Sequence, residues 1–244
     1  MGKITETVKF LIIINVLFFI GTLTTGDITY RLFSLFYFEN PNFQLWQPIT
    51  HMFMHGGVFH ILFNMYALWA FGSPLEMRWG QKKFLFFYFS AGLGAALIHT
   101  LVNYYQVQSG TEALLAAGMD QSQVANLLAT GEYNSAILNV VSQDSLQSLY
   151  EAFNTPAVGA SGAIYGVLVA FGLMFPNIEL MLMFIPVPVK AKYFIPGLIL
   201  IDLFFGITGS PMGIAHWAHI GGALFGFIMA WYWKKNSFDD HRWN

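Results

Sequence analysis

The amino-acid sequence predicts an all-α membrane protein, a bundle of six transmembrane helices with both termini in the cytoplasm. Of its 244 residues, 56% are hydrophobic and 10% are charged, whereas an average soluble domain has about 45–50% apolar and 25% charged residues. Six apolar runs approach the roughly 20 residues that a helix needs to cross a hydrocarbon core of about 30 Å. The length of the chain would allow one or two domains, and we predict the simpler arrangement, a single membrane domain over residues 1–244.

The predicted spans and the charges between them determine the predicted orientation. In chain order the spans are residues 8–25, 58–77, 84–105, 158–175, 193–207 and 213–233. With both termini in the cytoplasm, every Lys and Arg except Arg31 falls on the inner side, which is the asymmetry of the positive-inside rule. No A-x-A-like cleavage site follows the first span, so we interpret it as a span rather than a signal peptide. The predicted location is therefore the cell membrane.

Two segments between the spans are unlike membrane sequence. Residues 31–50 are rich in aromatic side chains but interrupted by Pro and Asn, so we expect this segment to lie in the membrane interface. Residues 106–155 contain five carboxylates and no Lys or Arg, with short helical patterns. We predict an external loop of short helices there, and the sequence assigns it no function.

Composition excludes several kinds of chemistry. The chain has no cysteine, which rules out disulfides, a thiolate nucleophile and Cys-based metal sites. Its net charge of −2 leaves no basic surplus for nucleic acid. His51 and His55 have the spacing of a zinc-protease motif but lack its glutamate, and Asp202 is the only aspartate within a predicted span, where an aspartyl protease needs two. We expect no metal and no organic cofactor.

Polar side chains inside spans are costly and therefore indicate function. His60 and Asn64 lie in the second span, Ser161 in the fourth and His219 in the sixth. These three spans all enter from the outer side, so the four side chains have a similar depth. A serine hydroxyl needs a base to become a nucleophile, and imidazole is a suitable one. His60 and Asn64 share a helix face and can both donate hydrogen bonds to an oxyanion.

Small residues on the fourth and sixth spans predict how the serine and histidine meet. Gly159 and the G-x-x-x-G at positions 162 and 166 surround Ser161, while His219, Gly222 and Gly226 share one face of the sixth helix. Glycine faces let two membrane helices approach closely. If the two faces pack together, the hydroxyl and the imidazole come within hydrogen-bond distance.

The motifs HGGVFHILFN, LEMR, GASGAIYG and AHWAHIGGALFG, in this order, resemble those of rhomboid intramembrane serine proteases of the basic six-helix bacterial type. The resemblance extends from about residue 31 to 233. It implies that Ser161 is the nucleophile and His219 the base of a dyad, with His60 and Asn64 as oxyanion residues. The supporting residues that it implies are Tyr165 against the catalytic imidazole, Gly222 and Gly226 in a tight helix contact, and Glu76 with Arg78 bracing the inner end of helix two.

The sequence also departs from the family pattern. Trp46 is followed by Gln47, where many members have arginine. The dyad leaves Asp202 without a catalytic role, so we expect it to hydrogen-bond to neighbouring groups; the alternative is a third member of a triad. His216 lies on the face of His219 and is a candidate partner for it.

The function that the resemblance implies is that of an intramembrane serine endopeptidase. It would act in the lipid bilayer and cut single-span or multi-span membrane proteins in or next to their transmembrane segments. One alternative is a proton-coupled transporter with Asp202 and the buried histidines as a relay, although the inverted repeats of such proteins are not found in this sequence. The other alternative is a catalytically silent relative, which loss of the serine or histidine would mark, and both residues are present.

Overall fold

The computed structural model describes residues 3–182, 185–209 and 215–236 and is mostly helical. Its elements in chain order are α1 (Glu6–Thr25), α2 (Asp27–Phe33), α3 (Gln47–Thr50), α4 (Val58–Ala67), α5 (Ser73–Trp79), α6 (Gln81–Ala116), α7 (Gln121–Thr130), α8 (Gln143–Asn154), α9 (Ser161–Met174), β1 (Glu179–Leu182), β2 (Ile185–Lys190), α10 (Ala191–Thr208) and α11 (His216–Asn236). A π-helical turn, Leu68–Gly72, joins α4 to α5 in one continuous rod. Short 3-10 helices lie at His51–Phe53 and Ser135–Asn139.

Each predicted span coincides with a described helix. Within the described residues, four helical stretches are long and apolar enough to cross a membrane: α1, the rod from α4 to α5, α6 and α10. Helix α9 is apolar but has 14 residues, because the residues just before Ser161 form a turn and not a helix. Residues 213 and 214, where the sixth predicted span begins, lie outside the described residues. The membrane-spanning character is thus confirmed, and the count of six spans with cytoplasmic termini stays a prediction.

Helix α6 is longer than predicted. It has 36 residues, about 54 Å at 1.5 Å per residue, so it continues without a break past residue 105, where the predicted span ends, into the segment predicted as short external helices. The helix continues because Val107 and Leu114 on its C-terminal extension are buried in an apolar cluster with Leu149 of α8. Gly110 allows this approach, since a Cβ there would lie 3.1 Å from the Leu149 side chain. Helices α7 and α8 form a small packed layer on this extension.

The prediction of an all-α fold is wrong at one place, where β1 and β2 pair as an antiparallel hairpin. Glu179 faces Lys190 and Leu180 faces Val189 in its register. The sequence around β2, IPVPVK, explains the strand, because proline disrupts helices and β-branched valine favours extended backbone. The hairpin joins the C-terminal end of α9 to the start of α10.

The contact between α9 and α11 brings the helix backbones together at glycines. A Cβ on Gly222 would lie 1.8 Å from the carbonyl oxygen of Gly162, and one on Gly226 would lie 2.4 Å from the Cα of Gly166. No side chain fits between the helices at these two levels, so van der Waals contact is made by the backbones themselves. Ser161 and His219 lie at the end of this contact where both helices begin.

Glu76 of α5 caps the first helix. Its carboxylate accepts hydrogen bonds from the Thr5 hydroxyl and from the backbone N–H groups of Thr7 and Val8, the latter two both at 3.0 Å. The first N–H groups of a helix have no partner within the helix, and a carboxylate there also complements the helix dipole. Arg78 is exposed, and no hydrogen bond or ion pair joins it to any described residue. In this chain the glutamate of the Glu-x-Arg motif, and not the arginine, joins α5 to the start of α1.

We expect Glu76→Gln to lower the free energy of unfolding by about 1–3 kcal/mol, because charge-assisted hydrogen bonds to α1 are lost. Arg78→Gln is the matched control and should change stability by less than about 0.5 kcal/mol. Thermal unfolding of the purified proteins in detergent measures both. Equal melting temperatures for the two variants would contradict the capping role.

Candidate active site

Ser161 is the first residue of α9 and follows a tight turn. Gly159 in this turn has φ of +124°, a conformation that residues with a side chain rarely adopt. Its N–H donates a hydrogen bond of 2.9 Å to the carbonyl of His51, which ties the turn to the segment before α4. Because Ser161 begins the helix, backbone N–H groups near its hydroxyl have no partner within the helix. The turn therefore presents a half-buried hydroxyl beside free backbone donors.

His219 of α11 meets this serine directly. Its Nε2 lies 2.9 Å from the Ser161 Oγ. The imidazole stacks on the ring of Tyr165, one helical turn beyond the serine, with 4.2 Å between ring centroids and 9° between ring planes. The stacking and the hydrogen bond together hold the imidazole in one orientation. The structure thus brings Ser161, His219 and Tyr165 together as the sequence predicts.

Asp202 of α10 also reaches the imidazole. Its Oδ1 lies 3.1 Å from Nδ1 of His219 and 2.5 Å from Nδ1 of His216, and its Oδ2 accepts a hydrogen bond from the Tyr165 hydroxyl. The expected hydrogen bonding of Asp202 to its neighbours is confirmed. The sequence indicated Asp202 and His216 as polar residues of two spans, but no periodicity within one helix could show that they meet.

His60 lies on the other side of the serine. A Cβ on Gly159 would lie 2.8 Å from its Nε2 and 3.4 Å from the Ser161 Oγ, so imidazole and hydroxyl flank the same glycine. The backbone N–H of Gly56 donates to Nδ1 of His60 at 3.4 Å. With Nδ1 as acceptor, a neutral His60 has its proton on Nε2, the atom that faces the turn. His60 is thus oriented to donate a hydrogen bond near Ser161.

Asn64 is buried one turn further along α4. Its Nδ2 donates to the carbonyl of His60 at 3.0 Å, within the same helix. An amide has two N–H donors, so one remains for another acceptor. The structure therefore connects Asn64 to the site through the backbone of His60, and its direct role as an oxyanion donor stays a prediction.

His51 is buried against the turn that contains Gly159, and its carbonyl accepts the hydrogen bond from the Gly159 N–H. It is 5% exposed, and burial lowers its pKa to about 4, so it is neutral at physiological pH. Its Nδ1 lies 2.9 Å from the carbonyl of Gln47. A cavity of about 10 Å³ lies between His51, Gly159 and Ser161, about the volume that one water molecule needs. The sequence analysis considered His51 only as a zinc ligand and missed this position, because no periodic pattern marks it as buried.

Gln47 organises the loop before α4. It is fully buried, its Oε1 accepts from the N–H of Phe36, and its Nε2 donates to the carbonyls of Arg31 and Asn42 at 3.1 and 2.9 Å. These bonds cross-link distant parts of the loop. A neutral amide thus holds this segment together.

Within the part of the chain that the structure describes, Asp202, His216 and His219 form a cluster that could hold a metal ion. One nitrogen or oxygen of each lies within 4.8 Å of the others, and imidazole and carboxylate are ligands of zinc. These three atoms already have hydrogen-bond partners within the site, so their closeness is explained without a metal ion. A metal on His219 would also hold the imidazole away from its bond to Ser161, so the residues fit proton transfer better than metal binding.

Comparison with known proteins identifies similar chains. A family model described as Rhomboid domain matches residues 42–125 and 135–236. Presenilin-associated rhomboid-like protein, mitochondrial, of Bos taurus is 31% identical over 181 residues, which cover 74% of this chain and 35% of that protein. Rhomboid protease AarA of Providencia stuartii is 25% identical over 246 residues, covering 94% of this chain and 73% of that protein. The chain spans about a third of the length of the presenilin-associated relatives.

Proposed function

Because the chain belongs to the rhomboid family, we propose that it is an intramembrane serine endopeptidase with Ser161 as nucleophile and His219 as general base. The observation that carries this proposal is the 2.9 Å contact between Ser161 Oγ and His219 Nε2, at the outer end of two helices. This distance is within the range in which a base can take the proton of a nucleophile. The similarity to a rhomboid protease of Providencia stuartii supports the same reaction class.

The proposed reaction uses the side chains around the Gly159 turn. Ser161 Oγ attacks the carbonyl carbon of a peptide bond while its proton passes to Nε2 of His219. The oxyanion accepts hydrogen bonds from Nε2 of His60, the Asn64 amide and the backbone N–H of Ser161. His219 then protonates the departing amine as the C–N bond breaks, and water hydrolyses the ester that remains on Ser161. The reaction requires no metal or organic cofactor.

The substrates that we propose are single-span or multi-span membrane proteins, cut in or next to a transmembrane segment. A helical substrate hides its carbonyls in hydrogen bonds, so the segment must unwind locally before attack, and we expect small or helix-breaking residues near the cut. The positive-inside pattern supports six crossings in a single domain, with both termini in the cytoplasm and the site open to the outer face of the cell membrane.

The test of this proposal compares the wild-type protein with Ser161→Ala. We expect the wild type, reconstituted in liposomes, to cleave members of a panel of single-span substrates and to react with a fluorophosphonate probe. Ser161→Ala should lose both activities, whereas Ser109→Ala, which replaces an exposed serine on the extension of α6, should keep both. A transporter would show no labelling that depends on Ser161. A catalytically silent relative would cleave no substrate in the panel, and either result would refute the proposal.

A further inference from the structure

Three hydrogen-bond donors from two helices converge on one buried carboxylate. Asp202 is 5% exposed. Its Oδ1 faces Nδ1 of both His219 and His216, and its Oδ2 faces the Tyr165 hydroxyl. Tyr165 comes from α9, the two histidines come from α11, and Asp202 comes from α10. The carboxylate is therefore the point at which the three helices around the site are joined by polar contacts.

These contacts determine which nitrogen of His219 carries its proton. An ionised carboxylate can only accept hydrogen bonds, so the nitrogens that face it must donate. A neutral His219 therefore has its proton on Nδ1 and a lone pair on Nε2, the atom that lies 2.9 Å from Ser161 Oγ. The other tautomer would present a proton to the serine and could not accept one. Only the first tautomer is competent as a base.

His216 and Tyr165 in turn hold the carboxylate. His216 is 7% exposed and lies against Phe205, with 5.8 Å between ring centroids and 28° between ring planes. Its Nε2 is buried and has no hydrogen-bond partner among the described residues, so its bond to Asp202 is its one polar contact there. With Tyr165 on the other oxygen, rotation of the carboxylate away from His219 would break two further bonds.

We propose that Asp202 is the positioning residue of the serine–histidine pair and fixes the reactive tautomer of His219. His216 and Tyr165 hold the carboxylate of Asp202 in the orientation that faces Nδ1 of His219. The inference rests on the proposed function and changes the dyad that the resemblance implies into a network of five side chains. Asp202 also faces the positive charge that His219 acquires on taking the serine proton. In a water-poor site this pairing stabilises the transition state.

Kinetics test the proposal first. We expect Asp202→Asn to lower kcat by about 10²- to 10⁴-fold, because an amide N–H can donate to Nδ1 and stabilise the wrong tautomer. KM should change less than about threefold, since Asp202 does not touch substrate. Asp144→Asn, an exposed site on α8, is the matched control and should be indistinguishable from wild type. A kcat for Asp202→Asn within threefold of wild type would overturn the proposal.

A second pair of variants covers the case in which Asp202→Asn does not fold. His216→Phe keeps an aromatic ring beside Phe205 but removes the donor to Asp202, whereas His216→Asn keeps a donor near the position of Nδ1. We expect His216→Phe to lower kcat by about tenfold or more and His216→Asn to recover most of that loss. Equal kcat values in these two variants would show that the hydrogen bond to Asp202 does not matter.

The third measurement does not depend on proteolysis. In ¹⁵N-histidine-labelled protein, NMR distinguishes a protonated from an unprotonated ring nitrogen, and the resonances missing from His219→Ala assign that residue. We expect Nδ1–H in the wild type and a shift to Nε2–H in Asp202→Asn. An unchanged Nδ1–H would refute the positioning role even if the protein is a protease. The expected shift in a protein that cleaves nothing would refute the proposed function while leaving the network intact.

Discussion

Cleavage by His219→Ala is expected to fall by about 10³- to 10⁶-fold, the range seen when the base of a serine protease is removed. The reason is that the imidazole is the group that contacts the Ser161 hydroxyl, with 2.9 Å between Nε2 and Oγ. Without it the hydroxyl keeps its proton and is a poor nucleophile. The initial rate of substrate cleavage in liposomes measures the effect.

The matched control for this variant is His99→Ala. His99 lies on α6, where its Nε2 is 3.3 Å from the Asn103 amide. It lies near His219, but among the described residues no hydrogen bond joins it to His219 or Ser161, so its removal leaves the contact between those two in place. We expect His99→Ala to keep cleavage within about tenfold of wild type. The side chain of His219 is 12% exposed and borders the turn, so circular dichroism of His219→Ala should show an unchanged helix content. Full turnover by this variant would remove the residue from the mechanism.

Gly222→Ala is expected to have the second large effect, on both folding and activity. The new Cβ would lie 1.8 Å from the carbonyl oxygen of Gly162, and this oxygen belongs to backbone that cannot rotate away. Helices α9 and α11 must therefore separate, at a cost of about 1–3 kcal/mol or more. Because Ser161 and His219 lie on these two helices, a separation of about 1 Å can also lower the cleavage rate about 100-fold.

Gly21→Ala provides the comparison for the glycine substitution. Gly21 is also within a helix, but a Cβ there would meet nothing within 4 Å. Alanine should stabilise α1 by about 0.4–1 kcal/mol, because it reduces the conformational freedom of the unfolded chain. The melting temperature in detergent and the cleavage rate are measured for both Gly222→Ala and Gly21→Ala. A Gly222→Ala protein with wild-type melting temperature and wild-type rate would show that the backbones do not touch at this level.

Local sequence patterns were enough to predict much of the fold. Long apolar runs determine where helices form, since about 20 apolar residues in lipid have few alternatives to a helix. Two places show the limit of this reasoning. Residues 106–116 were assigned to a segment of separate short helices, but they continue α6 because Val107 and Leu114 are buried against α8. The hairpin of β1 and β2 depends on pairing between two strands, which a helix-length window does not detect.

The candidate site was predictable to different degrees. Ser161, His219 and His60 carry side chains whose chemistry is costly within a membrane, so residue type alone indicated them. The structural roles of Gln47 and His51 were not predictable, because each depends on hydrogen bonds to backbone groups of the folded loop. A glutamine or histidine in an interfacial loop has no periodic pattern that distinguishes a buried cross-link from an exposed residue.

The sequence by itself determined that this is a helical membrane protein of one family, with a serine and a histidine on separate spans and glycines that let those spans touch. These properties depend on residue type and on spacing along one helix. Only the tertiary structure decided that Asp202 and His216 meet beside His219, with Tyr165 on the opposite carboxylate oxygen. The physical reason is that hydrogen-bond partners 14 to 37 residues apart are set by how α9, α10 and α11 are rotated against each other.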